Sequence, residues 1–283
     1  MTARPGASAF SKRLRRAAFG LSTLLGRPRG FFIPYRYAGS VRPRPYPALE
    51  PLFRDSEARF RELVSDAELY NEHLMRILDG AGPARFDQDW FPRLDAATAY
   101  VIVRQMKPRR IVEIGSGHST RFLVRAVQDG SLSTEIVAID PAPRASLPVS
   151  GVRHVPALLD DAGPKLFASL EPGDIRFVDS SHVAMPGSDV DRIFGDVLPR
   201  LAAGTLVHIH DILLPDPYPE DWAWRGYNEA SIVAALIGCG GYELLFSSHW
   251  VASRHPDWLA TGIVGRMPLL AGARETSLWL RKL

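Results

Sequence analysis

The chain has 283 residues, of which 46% are hydrophobic and 23% are charged, and its formal net charge is +3. This length and apolar fraction exclude a disordered chain and fit one large domain with an appended piece, or two small domains. The single cysteine, Cys239, excludes a disulfide framework and a cysteine-rich zinc cluster, and it fits a reducing compartment such as the cytoplasm.

Positive charge is concentrated in the first fifty residues, which hold ten Lys or Arg and one acid, Glu50. Within SKRLRRAAFGLSTLLGRPRG, the apolar segment 17–25 is too short to span a bilayer, and no clear cleavage site follows it. We interpret this stretch as a short basic amphipathic helix. Two interpretations stay open: peripheral contact with an anionic membrane surface, nucleic acid or an acidic partner, or a solvated arm that lies on its own domain.

Residues 27–52 are rich in proline and aromatic residues without a sustained period, which predicts an extended arm. From residue 55 to residue 78 apolar positions recur at three and four, which predicts one long amphipathic helix that ends at Asp79-Gly80. A second helix is predicted over residues 95–106, before Pro108.

After residue 110 short apolar runs alternate with helical ones, in the order RIVEI, STRFLVRAV, EIVAID, VRHV, PKLFASL, IRFVD, SDVDRIFGDVLPRL, TLVHIH, NEASIVAALI, YELLF and SLWLRKL. This alternation favours a doubly wound α/β domain with parallel strands and helices on both faces. Ser188 with Asp191 is typical of a capping box, and Gly130 and Gly238 follow predicted helices. The predicted domains are a basic arm (1–52), a helical cap (53–107) and the α/β domain (108–283).

A glycine turn, Gly115-Ser116-Gly117, follows the predicted first strand, residues 111–114. Ligands of such sheets bind at the carboxyl ends of the strands, where a glycine turn and a helix N-terminus offer backbone N–H groups. A dinucleotide fingerprint needs a third glycine at position 120, which is threonine, so an NAD site is disfavoured. A carboxylate at Glu113 would repel a pyrophosphate but would suit a ligand with positive charge.

The stretch VEIGSGHST resembles the first motif of class I S-adenosylmethionine (SAM)-dependent methyltransferases, and EIVAIDP resembles their second. IRFVDSSHV and GTLVHIHDILLPDPYP take the places of the fourth and fifth strands, so the resemblance covers about the last two thirds of the chain. The run of motifs is most similar to the Methyltransferase-24 type, which is related to catechol-like O-methyltransferases. The resemblance implies a Rossmann-like seven-stranded sheet, mostly parallel with an antiparallel last strand, behind an N-terminal helical cap.

The resemblance also implies SAM as the cofactor. Asp140 occupies the place of the acid that binds the ribose hydroxyls, and the 159–161 stretch occupies the place that touches adenine. Hydroxyl and N–H groups at the start of the next helix are further candidates. The implied cofactor-binding residues are Glu113, Gly115, Ser116, Gly117, Ser119, Thr120, Asp140, Asp160 and Asp179.

Methyl transfer from a sulfonium is an in-line displacement, so the protein must position the acceptor and remove its proton. Asp179 and His182 follow the fourth strand, and His210 and Asp211 end the fifth, so these side chains are expected to converge. The resemblance implies that Asp179, His210 and Asp211 bind a divalent cation and that His182 replaces a catalytic lysine. A nitrogen ligand favours manganese, iron or zinc over magnesium. Metal-free catalysis by His182 or His210, oriented by an aspartate, is an equally physical alternative.

Two other histidines have alternative interpretations. His208 shares the strand face of His210, and a buried, hydrogen-bonded structural role is expected for it. His118, in the glycine turn, contacts the cofactor or is a solvent-exposed turn residue.

The segment LLPDPYPEDWAWRGYNE after the fifth strand is predicted to be a loop at the functional edge. Trp222, Trp224 and Tyr227 line an acceptor pocket there or pack the loop onto the domain. Residues 89–91 are a candidate for the opposite wall.

The sequence therefore predicts a SAM-dependent methyltransferase, an O-methyltransferase of a small-molecule hydroxyl acceptor. A nucleic-acid methyltransferase is favoured by the basic N-terminus, but DSSH stands where base-amino methyltransferases carry a D/N-P-P-Y-type turn. A binding protein that keeps the fold without turnover is the other alternative. An NAD-dependent oxidoreductase is disfavoured by Glu113 and Thr120. The predicted location is cytoplasmic, peripheral at the inner membrane surface if the basic arm makes that contact.

Overall fold

A computed structural model describes residues 9–31, 33–163 and 170–283. The expected helical run PKLFASL falls almost entirely outside these residues, as do the first eight residues of the basic arm. The chain divides into two compact units. The described residues up to Arg44 form the small unit together with Tyr218–Tyr227, and Pro45–Pro217 with Asn228–Leu283 form the large unit.

The small unit contains the helix α1 (Ala9–Leu24), which confirms the helical interpretation of the basic stretch. This helix contacts a 3₁₀ segment at Glu220–Arg225. The aromatic residues of the stretch Tyr218–Tyr227 pack on one another. The Trp222 and Tyr227 rings lie 6.0 Å apart, and the Arg225 guanidinium lies 4.1 Å from the centre of the Trp222 ring. Whether they also line an acceptor pocket stays a prediction.

The large unit is built on a seven-stranded sheet in the order β3-β2-β1-β4-β5-β7-β6. Its strands are β1 (Arg110–Ile114), β2 (Glu135–Ile139), β3 (Arg153–Val155), β4 (Ile175–Val178), β5 (Leu206–Ile209), β6 (Tyr242–Ser247) and β7 (Leu278–Lys282). β1 to β5 pair in parallel, and β7 is antiparallel to both β5 and β6. The predicted Rossmann-like sheet with an antiparallel last strand is therefore confirmed. Its strand order reverses between β1 and β4, where such sheets open a ligand crevice.

Helices cover the sheet, as expected for apolar strands that must be buried on both faces. They are α2 (Glu50–Asp55), α3 (Glu57–Asp66), α4 (Asn71–Leu78), α5 (Arg93–Met106), α6 (His118–Asp129), α7 (Asp189–Arg192, continued by a π-helical turn at Ile193–Val197), α8 (Glu229–Gly238), α9 (Ser248–Arg254) and α10 (Gly262–Arg266). The Ser188 side chain caps α7 by accepting a hydrogen bond from the Asp191 N–H, as predicted. Lys107, with φ of +46°, ends α5 directly before Pro108.

The long helix expected over residues 55–78 is instead α3 and α4, joined by a 3₁₀ turn at Ala67–Tyr70. A 3₁₀ helix has 3.0 residues per turn, so Ala67 and Tyr70 both stay on the side that meets α5. Tyr70 packs edge-on against Tyr100 of α5, with ring centres 5.9 Å apart. Spacings of three and four fit both kinds of helix, so periodicity could not predict the break.

The start of α5 is fixed to the start of β7. The Arg93 guanidinium donates two hydrogen bonds of 2.8 Å to the carboxylate of Glu275. The fully buried Asp95 carboxylate accepts hydrogen bonds from the backbone N–H groups of Thr276 and Ser277. These bonds place an acid of the helical region beside the tip of β5. In the described part of the chain, no helix combines the length and apolar character needed to cross a membrane.

Candidate active site

The predicted site residues meet at one edge of the sheet, where β1, β2, β4 and β5 end. Backbone hydrogen bonds continue past the strand ends: the Asp179 N–H donates to the Ile114 carbonyl at 2.8 Å, and the His210 N–H donates to the Val178 carbonyl at 2.9 Å. These bonds hold the residues after each strand in register with their neighbours. The expected convergence of Asp179, His182, His210 and Asp211 is thus present.

The glycine turn is shaped by the strand beside it. Gly115 has φ of +81°, and a Cβ at this position would clash with the carbonyl oxygen of Asp179. Only glycine combines that conformation with so close an approach of two backbones. Gly115 therefore joins the predicted cofactor side of the edge to the β4 tip.

Glu113 lies beneath the turn and has no exposed surface. Its two carboxyl oxygens accept hydrogen bonds of 2.6 Å from the hydroxyls of Ser119 and Thr120. The Thr120 hydroxyl also accepts a hydrogen bond of 3.0 Å from the Gly117 N–H. In this arrangement the three side chains bind one another and organise the turn, and their direct contact with a cofactor stays a prediction.

Burial raises the pKa of Glu113 to about 8, although the two hydroxyls oppose the shift. The carboxyl group is then largely protonated at neutral pH. The sequence predicts a carboxylate that suits a ligand with positive charge, and the structure places this group where burial disfavours its charged form.

Asp140, at the tip of β2, is the partly exposed acid on this side of the edge. Its carboxylate accepts hydrogen bonds from the Ser116 hydroxyl at 2.9 Å and from the Ala142 N–H at 2.7 Å. Each carboxylate oxygen keeps a further lone pair, which ribose hydroxyls can use. Asp160 lies in a 3₁₀ turn at Leu159–Asp161, where its exposed side chain pairs with Arg192 at 2.8 Å.

His118, at the start of α6, is buried at 9% exposure, so a solvent-exposed turn residue is the wrong interpretation. Burial, followed by the charges of Arg121 and Arg85, lowers the pKa of His118 to about 4. It is a neutral imidazole at physiological pH.

On the other side of the edge, five side chains form a histidine–carboxylate cluster: Asp179, His182, His210, Asp211 and Glu229. The Nδ1–H of His182 donates to Glu229 at 2.8 Å, and its Nε2 lies 3.3 Å from Asp179 and 3.5 Å from Asp211. His210 Nδ1 lies 3.6 Å from Asp179 and 3.7 Å from Asp211. The side chain of Asp179 is 30% exposed, and those of His182 and Glu229 are buried.

Sequence reasoning missed Glu229, the fully buried first residue of α8. The Ser180 hydroxyl donates to both its carboxylate oxygens at 3.2 Å, and the Asn228 N–H donates to the carbonyl of His182 at 3.0 Å. An acid in the first turn of a helix is common, because it interacts favourably with the helix dipole. The sequence signal for Glu229 was therefore indistinguishable from ordinary helix capping.

The carboxylates set the charge of the two histidines. Burial alone would lower the pKa of His182, but the hydrogen bonds to Asp179 and Glu229 raise it well above its usual value. Burial alone would also lower the pKa of His210. The charge of Asp211 and the contacts with Asp179 and Asp95 raise it well above its usual value. Burial alone would raise the pKa of Asp179, but the two imidazoles hold it well below its usual range. The carboxylates thus favour the protonated form of both imidazoles.

A divalent cation does not fit the cluster in this arrangement. Among residues 9–31, 33–163 and 170–283, no group of three or more His, Cys, Asp or Glu side chains has a geometry that could hold a metal ion. The structure therefore gives no support to Asp179, His210 and Asp211 as metal ligands.

Aromatic packing supports the cluster from below. His208 is fully buried, and its Nε2 lies 2.8 Å from the Ser277 hydroxyl, which confirms the structural role predicted for it. The ring of Phe91, in the segment suggested as a wall, lies 5.4 Å from the ring of His210. The segment before α5 therefore reaches the site.

A comparison with known proteins finds a match over part of the chain. Residues 112–212, from β1 to just past β5, match the family model described as a methyltransferase domain. No curated protein matches the chain.

Similar solved structures share little sequence with the chain. The SAH-bound methyltransferase PaMTH1 of Podospora anserina is 17% identical, with a TM-score of 0.44, and the match covers 90% of this chain and 99% of that one. The branched-chain polyamine synthase of Thermus thermophilus is 13% identical, with a TM-score of 0.44 and coverage of 75% and 64%. MycE, of the mycinamycin biosynthetic pathway, is 18% identical, with a TM-score of 0.39 and coverage of 77% and 54%.

The matched segment contains the glycine turn, Asp140, Asp179, His182 and the end of β5. Over residues 112–212 the chain is similar to the methyltransferase-domain family, and this segment holds the strand-tip motifs on which the resemblance to class I SAM-dependent methyltransferases rests.

Proposed function

We propose that the protein is a SAM-dependent O-methyltransferase that acts on a hydroxyl group of a small molecule, with His182 as the base. The observation that supports this proposal most directly is the pairing of His182 with Glu229 at 2.8 Å, next to Asp179 and the glycine turn. A carboxylate, an imidazole and an acid that faces the open edge are the parts that proton removal from a hydroxyl requires.

The residues at the β1 and β2 tips fit the cofactor. Asp140 is partly exposed and can accept hydrogen bonds from the two ribose hydroxyls, while Ser116 holds its carboxylate in place at 2.9 Å. When bound, SAM supplies the methyl group from a positively charged sulfonium. Asp140 and Asp179 are acids on either side of Gly115, so the edge offers a negative surface to such a cation.

His182 is assigned the base role by its hydrogen bonds. Glu229 accepts the Nδ1–H, which leaves Nε2 as the nitrogen that exchanges a proton. Asp179 is the most exposed member of the ion pairs around Nε2, and it is the group that an acceptor hydroxyl meets first. In the transfer the acceptor oxygen forms a bond to the methyl carbon, the carbon–sulfur bond breaks, and the hydroxyl proton passes to Nε2 of His182.

This role requires His182 to lose a proton before it can accept one, because carboxylates raise its pKa. His182 releases that proton more readily when a positive charge is close by, since like charges disfavour the imidazolium. The cluster therefore becomes competent as a base in the loaded enzyme rather than in the free one.

A small-molecule acceptor is proposed over a nucleic acid because the turn after β4 is DSSH, and its residues are occupied by the cluster: Ser180 binds Glu229 and Ser181 binds Asp189.

The test is a calorimetric titration with SAM, followed by a turnover screen against hydroxylated metabolites with and without a chelator. We expect micromolar SAM binding that Asp140→Ala abolishes. The matched control Asp257→Ala, at an exposed acid outside the matched residues 112–212, should leave binding intact. Turnover of at least one hydroxyl acceptor should survive the chelator. Absence of SAM binding would favour the non-catalytic protein, and methylation of RNA alone would favour the nucleic-acid enzyme.

A further inference from the structure

We propose that α1 and the arm that follows it form a docking surface for an anionic lipid bilayer. We define the N-terminal surface as the described residues up to Arg44. This inference is independent of the proposed enzyme chemistry, because it concerns only residues of the small unit.

The first observation is a concentration of exposed apolar side chains. Among the described residues, ten of the nineteen exposed large hydrophobic side chains lie at or before Val41. They are Phe10, Leu14, Leu21, Leu24, Leu25, Phe31, Ile33, Tyr35, Tyr37 and Val41. Scattered exposed residues are ordinary, but so dense a set in a short stretch marks an interaction surface.

The helical part of this set lies on one face of α1. At 100° per residue, Phe10, Leu14 and Leu21 fall within an arc of about 40°. They are 71%, 56% and 60% exposed. Phe19 lies on the opposite side of the helix and is half-buried, with the Arg15 guanidinium 5.3 Å from its ring centre. The helix therefore has one partly buried side and one apolar side that the small unit leaves uncovered.

Charge identifies the partner. The first 49 residues contain ten Lys or Arg and no Asp or Glu. Seven arginines of this stretch have side chains that the structure places in solvent: Arg15, Arg16, Arg27, Arg29, Arg36, Arg42 and Arg44. Cations of this density are attracted to anionic lipid head groups, and they would repel a second copy of the same surface.

The combination favours a membrane over the other polyanion, nucleic acid. Phosphate binding by RNA or DNA uses the arginines but has no need for leucine and phenylalanine side chains in solvent. A bilayer uses both, because the apolar face enters the boundary of the acyl chains while the cations meet the head groups.

The geometry fits a helix that lies on the bilayer instead of crossing it. The sixteen residues of α1 span about 24 Å, which is shorter than a hydrocarbon core of about 30 Å. The arm then continues with exposed aromatic residues, Tyr35 and Tyr37, of the type that resides at membrane interfaces.

The experiment is co-sedimentation of the full-length protein with vesicles of phosphatidylcholine alone or of phosphatidylcholine with phosphatidylserine, at low and high salt. The double substitution Leu14→Ser and Leu21→Ser removes the apolar face. The matched control is Leu269→Ser with Leu270→Ser, which changes two leucines that are 42% and 40% exposed in the large unit. Circular dichroism confirms that each variant keeps its helix content.

We expect binding to the anionic vesicles only, a loss of about tenfold or more on the Leu14 and Leu21 substitutions, and little change in the control. High salt should weaken binding, because the cationic contribution is screened. Equal partitioning into the two kinds of vesicle, or equal loss in the control, would overturn the proposal.

Two further measurements separate the rival occupants. If a single-stranded RNA pool binds and the leucine substitutions do not weaken it, while anionic vesicles do not bind, the surface is a nucleic-acid site and the proposal is wrong. If sedimentation velocity shows an oligomer that the same substitutions dissociate, and vesicles again do not bind, a second copy covers the surface and the proposal is equally wrong.

Discussion

The carboxylates of the candidate site have different hydrogen-bonding partners in the two halves of the sheet edge. At the β1 and β2 tips, Glu113 and Asp140 accept hydrogen bonds from serine and threonine hydroxyls. At the β4 and β5 tips, Asp179 and Asp211 lie against the imidazoles of His182 and His210. Both halves lie at the ends of mutually parallel strands of one sheet and are joined at Gly115, so the fold does not explain the contrast.

The partners explain what each half can do. A hydroxyl does not titrate near neutral pH, so it supplies a hydrogen bond that does not change with pH to the carboxylate that it binds. An imidazole titrates, and a carboxylate beside it can shift the pH at which it does so. In the proposed function the β1 and β2 tips bind the cofactor and the β4 and β5 tips transfer the proton, so changes on one side should leave the other function nearly intact.

The largest effect is expected from His182→Gln. The substitution keeps a hydrogen-bonding side chain but removes the imidazole that we propose as the base. We expect kcat to fall by about 100-fold or more, the range of general base catalysis, with the Kd of SAM changed less than about threefold. Steady-state kinetics and calorimetry measure the two quantities. His255→Gln is the matched control, since His255 also pairs with a carboxylate, Glu57, at 2.9 Å; equal losses of kcat and SAM affinity at His182 would contradict the division.

The next effect is expected from Glu229→Gln, which tests a positioning residue. Glutamine can still accept the Nδ1–H of His182, but it no longer stabilises the imidazolium by charge. We expect a loss of about tenfold in kcat together with a shift of the kcat–pH profile to lower pH, because the pKa of His182 falls toward its usual value. A profile that keeps its midpoint while activity falls would mean that Glu229 only supports the fold.

The sheet and the tips of its strands were predictable because their signals are local. Alternating apolar runs gave the strands, and parallel strands bring their carboxyl ends to one edge, so Asp179, His182, His210 and Asp211 could be placed together from their positions alone. The partners from outside the strands were not predictable. Glu229 reaches His182 from α8, 47 residues on, and Asp95 reaches His210 from α5.

Glu113 shows a different limit. The sequence indicates that an acid precedes the glycine turn, but whether it faces a ligand or lies beneath the turn depends on the side-chain rotamers at the start of α6. Ser119 and Thr120 are predicted neighbours of the cofactor, and in the structure their hydroxyls bind Glu113. Composition and spacing do not distinguish the two arrangements.

A smaller effect is expected from Asp140→Asn on the binding half. The substitution keeps the size of the side chain and removes the charge that strengthens hydrogen bonds to the ribose hydroxyls. Loss of a charge-assisted bond of about 1.5 kcal/mol corresponds to roughly tenfold weaker SAM binding, with kcat at saturating SAM nearly unchanged. Calorimetry provides the affinity, and Ser116→Ala, which removes only the supporting hydroxyl, should weaken binding less. A fall in kcat with unchanged affinity would place Asp140 in the chemical half.

The smallest effect on function is expected from Glu113→Gln, because the Glu113 carboxyl is buried, with a pKa raised to about 8, and a glutamine amide would keep its hydrogen-bonding shape. The Kd of SAM should change less than about threefold, since a group that is already neutral loses no charge.

The thermal stability of the Glu113→Gln variant should differ from that of the parent, although the Kd of SAM should not. A carboxyl group whose pKa is higher in the folded chain than in the unfolded chain stabilises the native state at pH values below both pKa values. That contribution is lost as the pH rises from the pKa in the unfolded chain toward 8. The glutamine amide does not titrate, so the Glu113→Gln variant should gain Tm relative to the parent by a few °C between pH 5 and pH 9. Thermal unfolding without cofactor measures this, with Glu171→Gln at an exposed acid as the control. The contradicting result would be a Tm that depends on pH in the same way in the variant and the parent, together with a tenfold weaker Kd of SAM. Glu113 would then be charged and would face the cofactor. The two halves of the site would then differ in the ligands that they bind and not in the side chains that bind their carboxylates.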